Sequence, residues 1–266
     1  MSRVYNTVNL SIEQQLFLKK LDDLEVVLFD IRDIDNLMGE SIQHPHSILE
    51  NLASKGFLSR LQRGKYCRST FHNDFATGCF LVKDGAVAYW SALNVHGLTT
   101  RFANKIFIQT TQPKKEKIIG GTTFDFVKIS GSKQVGLINL GYGNNSFRIT
   151  DLEKTLVDCF DLSAYSGGFA DLLTSFSTTQ LSPEKLIAYH QAVGNKAALK
   201  RMGFLAEILD KKELSVFIAY AKSEITNTYD LFDPQGSRTG IPLGQWRLRM
   251  NIPTDQILAI CKPEAL

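Results

Sequence analysis

The sequence predicts an α+β protein in two parts: a small N-terminal unit of helices and one β-hairpin over residues 1–72, and a larger mixed domain over residues 76–266. Three observations carry this. Apolar residues recur at helical spacing three times before residue 56. An alternating stretch with a glycine turn follows at once. The remainder interleaves strand-like runs with a helical back half. The composition suits a globular chain, with 266 residues, 44% hydrophobic, 21% charged, and Lys+Arg 30 against Asp+Glu 27 for a formal charge of +3. A membrane-crossing helix needs about 20 consecutive apolar residues, and the longest apolar stretches, residues 86–93 and 216–221, are far shorter. The opening MSRVYNTVNLSIEQQ lacks an apolar signal-peptide core. Four cysteines (Cys67, Cys79, Cys159, Cys261), none in a Cys-x-x-Cys pair, fit free thiols in a reducing cytoplasm.

Each element has a local cause. Ser11 followed by Gln14 is a capping box that opens a helix over residues 12–21, with Ile12, Leu16, Leu21 and Leu24 at near-helical spacing. Val26-Val27-Leu28-Phe29 is β-prone. Asp30 then caps a second helix with Ile34, Leu37 and Met38 on one face, stopped by Gly39. Pro45 suits the first position of a third helix, lined by Ile48, Leu49 and Leu52 and closed by Lys55-Gly56. From Phe57 to Arg68 apolar and polar residues alternate, turning at Gln62-Arg63-Gly64, where glycine supplies the positive φ of a tight turn. Three short helices and a hairpin with a basic tip make the plan of a winged helix-turn-helix.

Charge is distributed to match. Residues 1–40 hold eight acidic residues and four basic ones; residues 41–72 hold Lys55, Arg60, Arg63, Lys65 and Arg68 against Glu50 alone. A local basic patch is the electrostatic footprint of a nucleic-acid face. A helix presents side chains to base edges in the major groove, while arginine and lysine neutralise phosphates or enter a narrow minor groove. The expected DNA-binding residues are therefore His44, His46, Ser47 and Asn51 on the third helix, beside Glu50, and Arg60, Arg63, Lys65 and Arg68 on the hairpin. A helix-plus-wing unit used only for protein interaction is a further reading. His44-Pro45-His46 is not a metal motif: residues two apart on a helix do not share a face, and no carboxylate or cysteine stands at supporting spacing. No metal or cofactor is expected.

Residues 68–74 read as a linker. Beyond it the sequence predicts a buried helix over 86–98, strands over 105–110, 124–129 and 135–140, and a glycine turn at Gly141-Tyr142-Gly143-Asn144-Asn145. Thr150-Asp151-Leu152-Glu153 reads as a capping box, opening a helix with Leu152, Leu156, Cys159 and Phe160. Ser182-Pro183 opens another, and Asn195 caps a third whose apolar stripe of Leu199, Met202, Ala206 and Leu209 lies opposite Lys196, Lys200 and Arg201. β character returns over 245–250. Catalytic motifs are absent: there is no Gly-x-Ser-x-Gly, no Gly-x-x-x-x-Gly-Lys and no His-Glu-x-x-His. A metal-dependent nuclease would need paired carboxylates and a lysine. Asp125 with Lys128, and Asp151 with Glu153-Lys154, are the nearest candidates, although a helix cap already accounts for Glu153. A nuclease targeted by the winged helix is the alternative to a non-enzymatic DNA binder.

Four segments in order carry a family resemblance: Gly56-Phe57-Leu58-Ser59-Arg60-Leu61-Gln62-Arg63-Gly64-Lys65-Tyr66; Tyr89-Trp90-Ser91-Ala92-Leu93 with His96-Gly97-Leu98; Ile149-Thr150-Asp151-Leu152-Glu153-Lys154-Thr155-Leu156-Val157-Asp158; and Met202-Gly203-Phe204-Leu205-Ala206-Glu207. In these the chain resembles the AbiE-type (AbiEi) antitoxins of bacterial abortive-infection toxin–antitoxin systems, transcriptional regulators of viral defence. The resemblance implies a winged helix that binds inverted repeats in its own promoter and represses the antitoxin–toxin operon. It also implies a C-terminal domain that counteracts a nucleotidyltransferase toxin without a stable complex between the two. One departure is the modest basic density after Met202, with Lys196, Lys200, Arg201, Arg247 and Arg249 the candidate contributors to a C-terminal basic surface. Trp90, Leu93, Leu152, Leu156, Phe204 and Leu205 read as core.

Overall fold

The computed structural model describes residues 10–39, 42–99, 101 and 105–261. Residues 1–9, Glu40, which the charge tally counted, Ser41 and residues 262–266 of the expected domains lie outside the described residues. The chain divides into two compact units, one running through Lys83 and taking in Gly141–Ser146, the other Asp84–Leu140 with Phe147–Leu266. The division falls later than residue 72: the helix that Asn73 caps at Ala76 N, at 3.0 Å, belongs to the first unit.

The first unit runs α1 (Ile12–Asp23), β1 (Leu28–Asp30), α2 (Ile34–Met38), α3 (Pro45–Ser54), β2 (Leu58–Gln62), β3 (Lys65–Arg68) and α4 (Asp74–Phe80). The Ser11–Gln14 capping box forms with both bonds at 3.2 Å. Asp30 caps a single 3-10 turn, Ile31–Asp33, which leads into α2, rather than α2 itself. β1, β3 and β2 form an antiparallel sheet in that order, Phe29 opposite Tyr66 and Leu58 opposite Arg68. Gly64 turns the hairpin at φ 78°, and a Cβ there would press on Ile31 Cγ2 at 3.2 Å. Phe17, Leu18, Leu21, Phe29, Leu49, Leu52, Leu58 and Tyr66 form one core, with the Phe29 and Tyr66 rings stacked at 6.0 Å. Each fully buried side chain of this kind stabilises by about 1.5–3 kcal/mol.

The second unit starts with β4 (Ala86–Val87), α5 (Tyr89–Val95), β5 (Lys105–Thr110), β6 (Lys117–Ile119), β7 (Thr122–Lys128), β8 (Leu137–Leu140) and β9 (Phe147–Thr150). It continues with α6 (Leu152–Asp161), α7 (Phe169–Thr178), α8 (Pro183–Val193), α9 (Lys196–Ile208), α10 (Ser215–Ser223), β10 (Asp230–Leu231), β11 (Ile241–Leu243), β12 (Leu248–Met250) and α11 (Thr254–Cys261). A six-stranded mixed sheet has the order β6-β7-β5-β4-β9-β8, with β5 and β7 parallel and β4 and β9 parallel. A small sheet, β10-β12-β11, accompanies the helical back half. The expected helix over 86–98 is shorter: Ala86 and Val87 form the strand that joins β5 to β9.

The segments that carried the family resemblance in this unit are structural. Ser91 Oγ accepts the Phe107 N–H at 2.9 Å. A Cβ at Gly203 would overlap the Trp246 ring, whose Nε1 donates to Glu207 at 2.6 Å. Thr150 is not the cap of α6, because it is the fully buried last residue of β9; Asp151 caps instead, accepting the Lys154 N–H at 2.9 Å.

Candidate nucleic-acid interface

The sequence-predicted site gathers on α3 and the β2–β3 hairpin. His44, at φ 54°, stands at the N-cap position of α3 without a side-chain capping bond, and Pro45 starts the helix. Ile48, Leu49 and Leu52 enter the core, so the helical period turns His46, Ser47, Glu50 and Asn51 to solvent, with His44 exposed as well. Asn51 Nδ2 donates to Ser47 O at 3.0 Å, which lays the amide along the outer face. Arg60 on β2 is exposed, and its guanidinium lies 3.8 Å from Glu50 Oε1, tying the hairpin's charge to the helix's outer face. Arg63 at the turn is exposed.

Two expected residues are turned inward, and here the site differs from the sequence reading. Arg68 is 5% exposed and pairs with Asp22 at 3.2 Å, fastening the hairpin's end to α1. Lys65 lies over the Phe80 ring, 4.5 Å from its centroid, and donates to the Phe80 carbonyl, with Gln62 donating to Leu81 O at 3.0 Å beside it. Burial lowers the Lys65 pKa. Both side chains fix the hairpin to its neighbours, so neither reaches outward to a phosphate. The cause is position: Arg68 ends β3 opposite buried Leu58, and the end of α4 supplies the Phe80 ring and carbonyl for Lys65.

One residue that sequence reasoning missed stands beside the turn. Arg32 is 80% exposed at its side chain and forks onto Asp30, Nε to Oδ1 at 2.9 Å and the terminal nitrogen to Oδ2 at 2.7 Å. That hydrogen-bonded fork holds the Asp30 carboxyl below its ordinary pKa. Ile31 N donates to Gly64 O at 2.7 Å, so the 3-10 turn that carries Arg32 abuts the hairpin turn. No local pattern announces this; it follows from β1 pairing with β3. A fork of this kind pre-orients a guanidinium, and it also neutralises part of its charge.

The carboxylates of the alternative reading are already engaged. Asp125 pairs with Lys105 at 3.1 Å, and Lys128 is exposed. Asp151 caps α6 and accepts from Tyr189 at 2.7 Å and Lys185 at 3.1 Å. Glu153 accepts the Ser182 N–H at 3.0 Å and Lys185 at 3.2 Å. Lys154 bonds Asp158 inside the unit. Among the described residues no cluster of three or more His, Cys, Asp or Glu is placed to hold a metal ion, and no helix is long and apolar enough to cross a membrane.

No protein-family model matches the chain, and no curated protein matches it. Among solved structures, the RV2827C protein from Mycobacterium tuberculosis is similar in fold, with a TM-score of 0.65, 15% identity and 95% of each chain covered.

Proposed function

We propose that this chain is a non-enzymatic, DNA-binding transcriptional autorepressor and antitoxin. In this reading the first unit is a winged helix-turn-helix, α3 enters the major groove and the β2–β3 hairpin is the wing. The observation that carries it is the pairing of an exposed polar helix face, His46, Ser47 and Asn51, with Arg60 and Arg63 on an adjoining hairpin whose other cations are committed inward. Ser and Asn side chains exchange hydrogen bonds with base edges, and exposed arginines meet phosphates. The resemblance to AbiE-type antitoxins supplies the finer form: inverted repeats upstream of its own gene as the operator, repression of an antitoxin–toxin operon, and antagonism of a nucleotidyltransferase toxin by the second unit in the cytoplasm.

Fluorescence anisotropy on the upstream intergenic duplex tests it. Binding should weaken steeply with salt, and Arg60→Ala with Arg63→Ala should flatten the slope of log affinity against log salt by about 2, near 0.9 per lost phosphate contact. A double variant that binds with the parent's affinity and slope overturns the wing assignment.

A further inference from the structure

Outside the candidate interface, α1 carries two of the large exposed apolar side chains of the first unit. Ile12 is 77% exposed and Leu16 is 62% exposed, one turn apart on the same face. Beside Leu16 is a groove of about 560 Å³ with a mixed lining, Leu16, Met38 and Ile42 among its apolar residues and Glu13 and Lys20 among its charged ones. Exposed apolar side chains rimmed by charge mark an association site. What it associates with is written in the charges along its rim.

Glu13 and Lys20 are both exposed, seven residues apart, and lie on the same flank of the stripe that Leu16 centres. When two identical helices pack antiparallel about a twofold axis, residues on one flank meet the same flank of the partner. An axis passing near Leu16 then sets Glu13 against Lys20 of the second copy, and Lys20 against its Glu13, with Leu16 packed at the centre. The reverse flank brings no excess of like charge, since Lys19 and Asp23 alternate there. Among the described residues neither Glu13 nor Lys20 has an ionic partner within the chain.

We propose that α1 is a twofold self-association surface, its occupant a second copy of this chain with Leu16 and Ile12 packed against their counterparts beside the groove. A twelve-residue helix is about 18 Å long, short for an interface that reaches the ~1,200 Å² of stable complexes. The dimer is therefore weak and concentration-dependent. The inference does not rest on DNA binding and is read without DNA.

Sedimentation equilibrium of the full chain tests it over about 1–200 μM, a range that brackets micromolar dissociation constants. The parent should pass from monomer to dimer across it. Leu16→Glu, at an exposed position that the fold tolerates, should remain monomeric throughout, with unchanged circular dichroism and melting. Glu13→Lys should weaken association by at least about tenfold, and adding Lys20→Glu should restore it, because the swapped charges again oppose. A parent that stays monomeric at the highest concentration overturns the proposal. So does a dimer indifferent to Leu16→Glu, or a charge swap that fails to restore what Glu13→Lys lost.

Discussion

Two sets of cations in this protein sit at opposite extremes of burial. On the hairpin, Arg60 and Arg63 stand in solvent. In the second unit, Lys154, Lys200 and Arg201 are interior, Lys200 at 1% exposure. Lys200 donates to Asp230 Oδ2 and to the Thr228 carbonyl, each at 2.7 Å, and Arg201 Nε donates to Leu231 O at 2.9 Å. Together they fasten the β10 segment to α9. The comparison teaches that basic density along a chain has two opposite uses. Exposed cations contribute little to stability and are available to an outside anion, whereas buried ones are committed to holding backbone and carboxylates. α9 therefore belongs to the scaffold, although its sequence, with Lys196, Lys200 and Arg201 close together, reads as a basic surface.

The largest effect expected from breaking this contrast is at Lys154 and Asp158. Burial pushes the Asp158 carboxyl up to about 6, with the charge and hydrogen bond of Lys154 opposing the rise. Asp158→Ala strands an ammonium in the interior and should cost about 3–5 kcal/mol of stability, while replacing both partners with Met and Leu should cost much less. Urea unfolding of the two variants separates the cases. A single variant within about 1 kcal/mol of the parent, the size of an ordinary substitution, would show that the pair is not structural.

Asp84 sharpens the comparison, because hydroxyls rather than a cation satisfy this carboxylate. Thr110 donates to Oδ1, and Thr111 donates to Oδ2 through its N–H at 2.8 Å and its hydroxyl at 2.6 Å. Burial pushes the carboxyl up, yet those hydrogen bonds outweigh it and hold the pKa at about 2, below the ordinary 3.8. A folded-state pKa below the unfolded one means stability that is fully present above pH ~4 and lost as pH falls towards 2. The contribution is roughly 2 kcal/mol at neutral pH, at 1.36 kcal/mol per unit. Unfolding free energies at pH 6 and pH 2 should show Asp84→Asn losing that amount at the first and almost nothing at the second. An equal loss at both would assign the effect to packing instead.

What was legible in the sequence is what short-range chemistry decides. Ser11, Ser182 and Asn195 cap the helices expected of them, and Gly64 turns the hairpin. The apolar face of α3 follows from Ile48, Leu49 and Leu52 alone, and so does the exposed face opposite. What was not legible depends on partners distant in sequence. Ala86 and Val87 look like the start of a helix until β5 and β9 flank them. Thr150 looks like a cap until the sheet claims it. Arg32 reaches the hairpin turn only because Asp30 pairs with Lys65 across β1 and β3, and Arg68 leaves the surface only because Asp22 lies behind it.

The smallest expected effect on stability is the one that bears most on function. Arg60 and Arg63 are exposed, and the Arg60–Glu50 separation of 3.8 Å is at the loose end of ion pairing. Exposed pairs of this kind contribute about 0–1 kcal/mol. Arg60→Ala with Arg63→Ala should thus leave the unfolding free energy within about 0.5 kcal/mol of the parent, the margin for surface substitutions, even as the proposed DNA binding weakens. Thermal melting and anisotropy on the same preparation decide the matter. If melting falls together with binding, the two arginines act like Arg68, as fasteners of the hairpin, and the division between exposed and committed cations does not hold on this face.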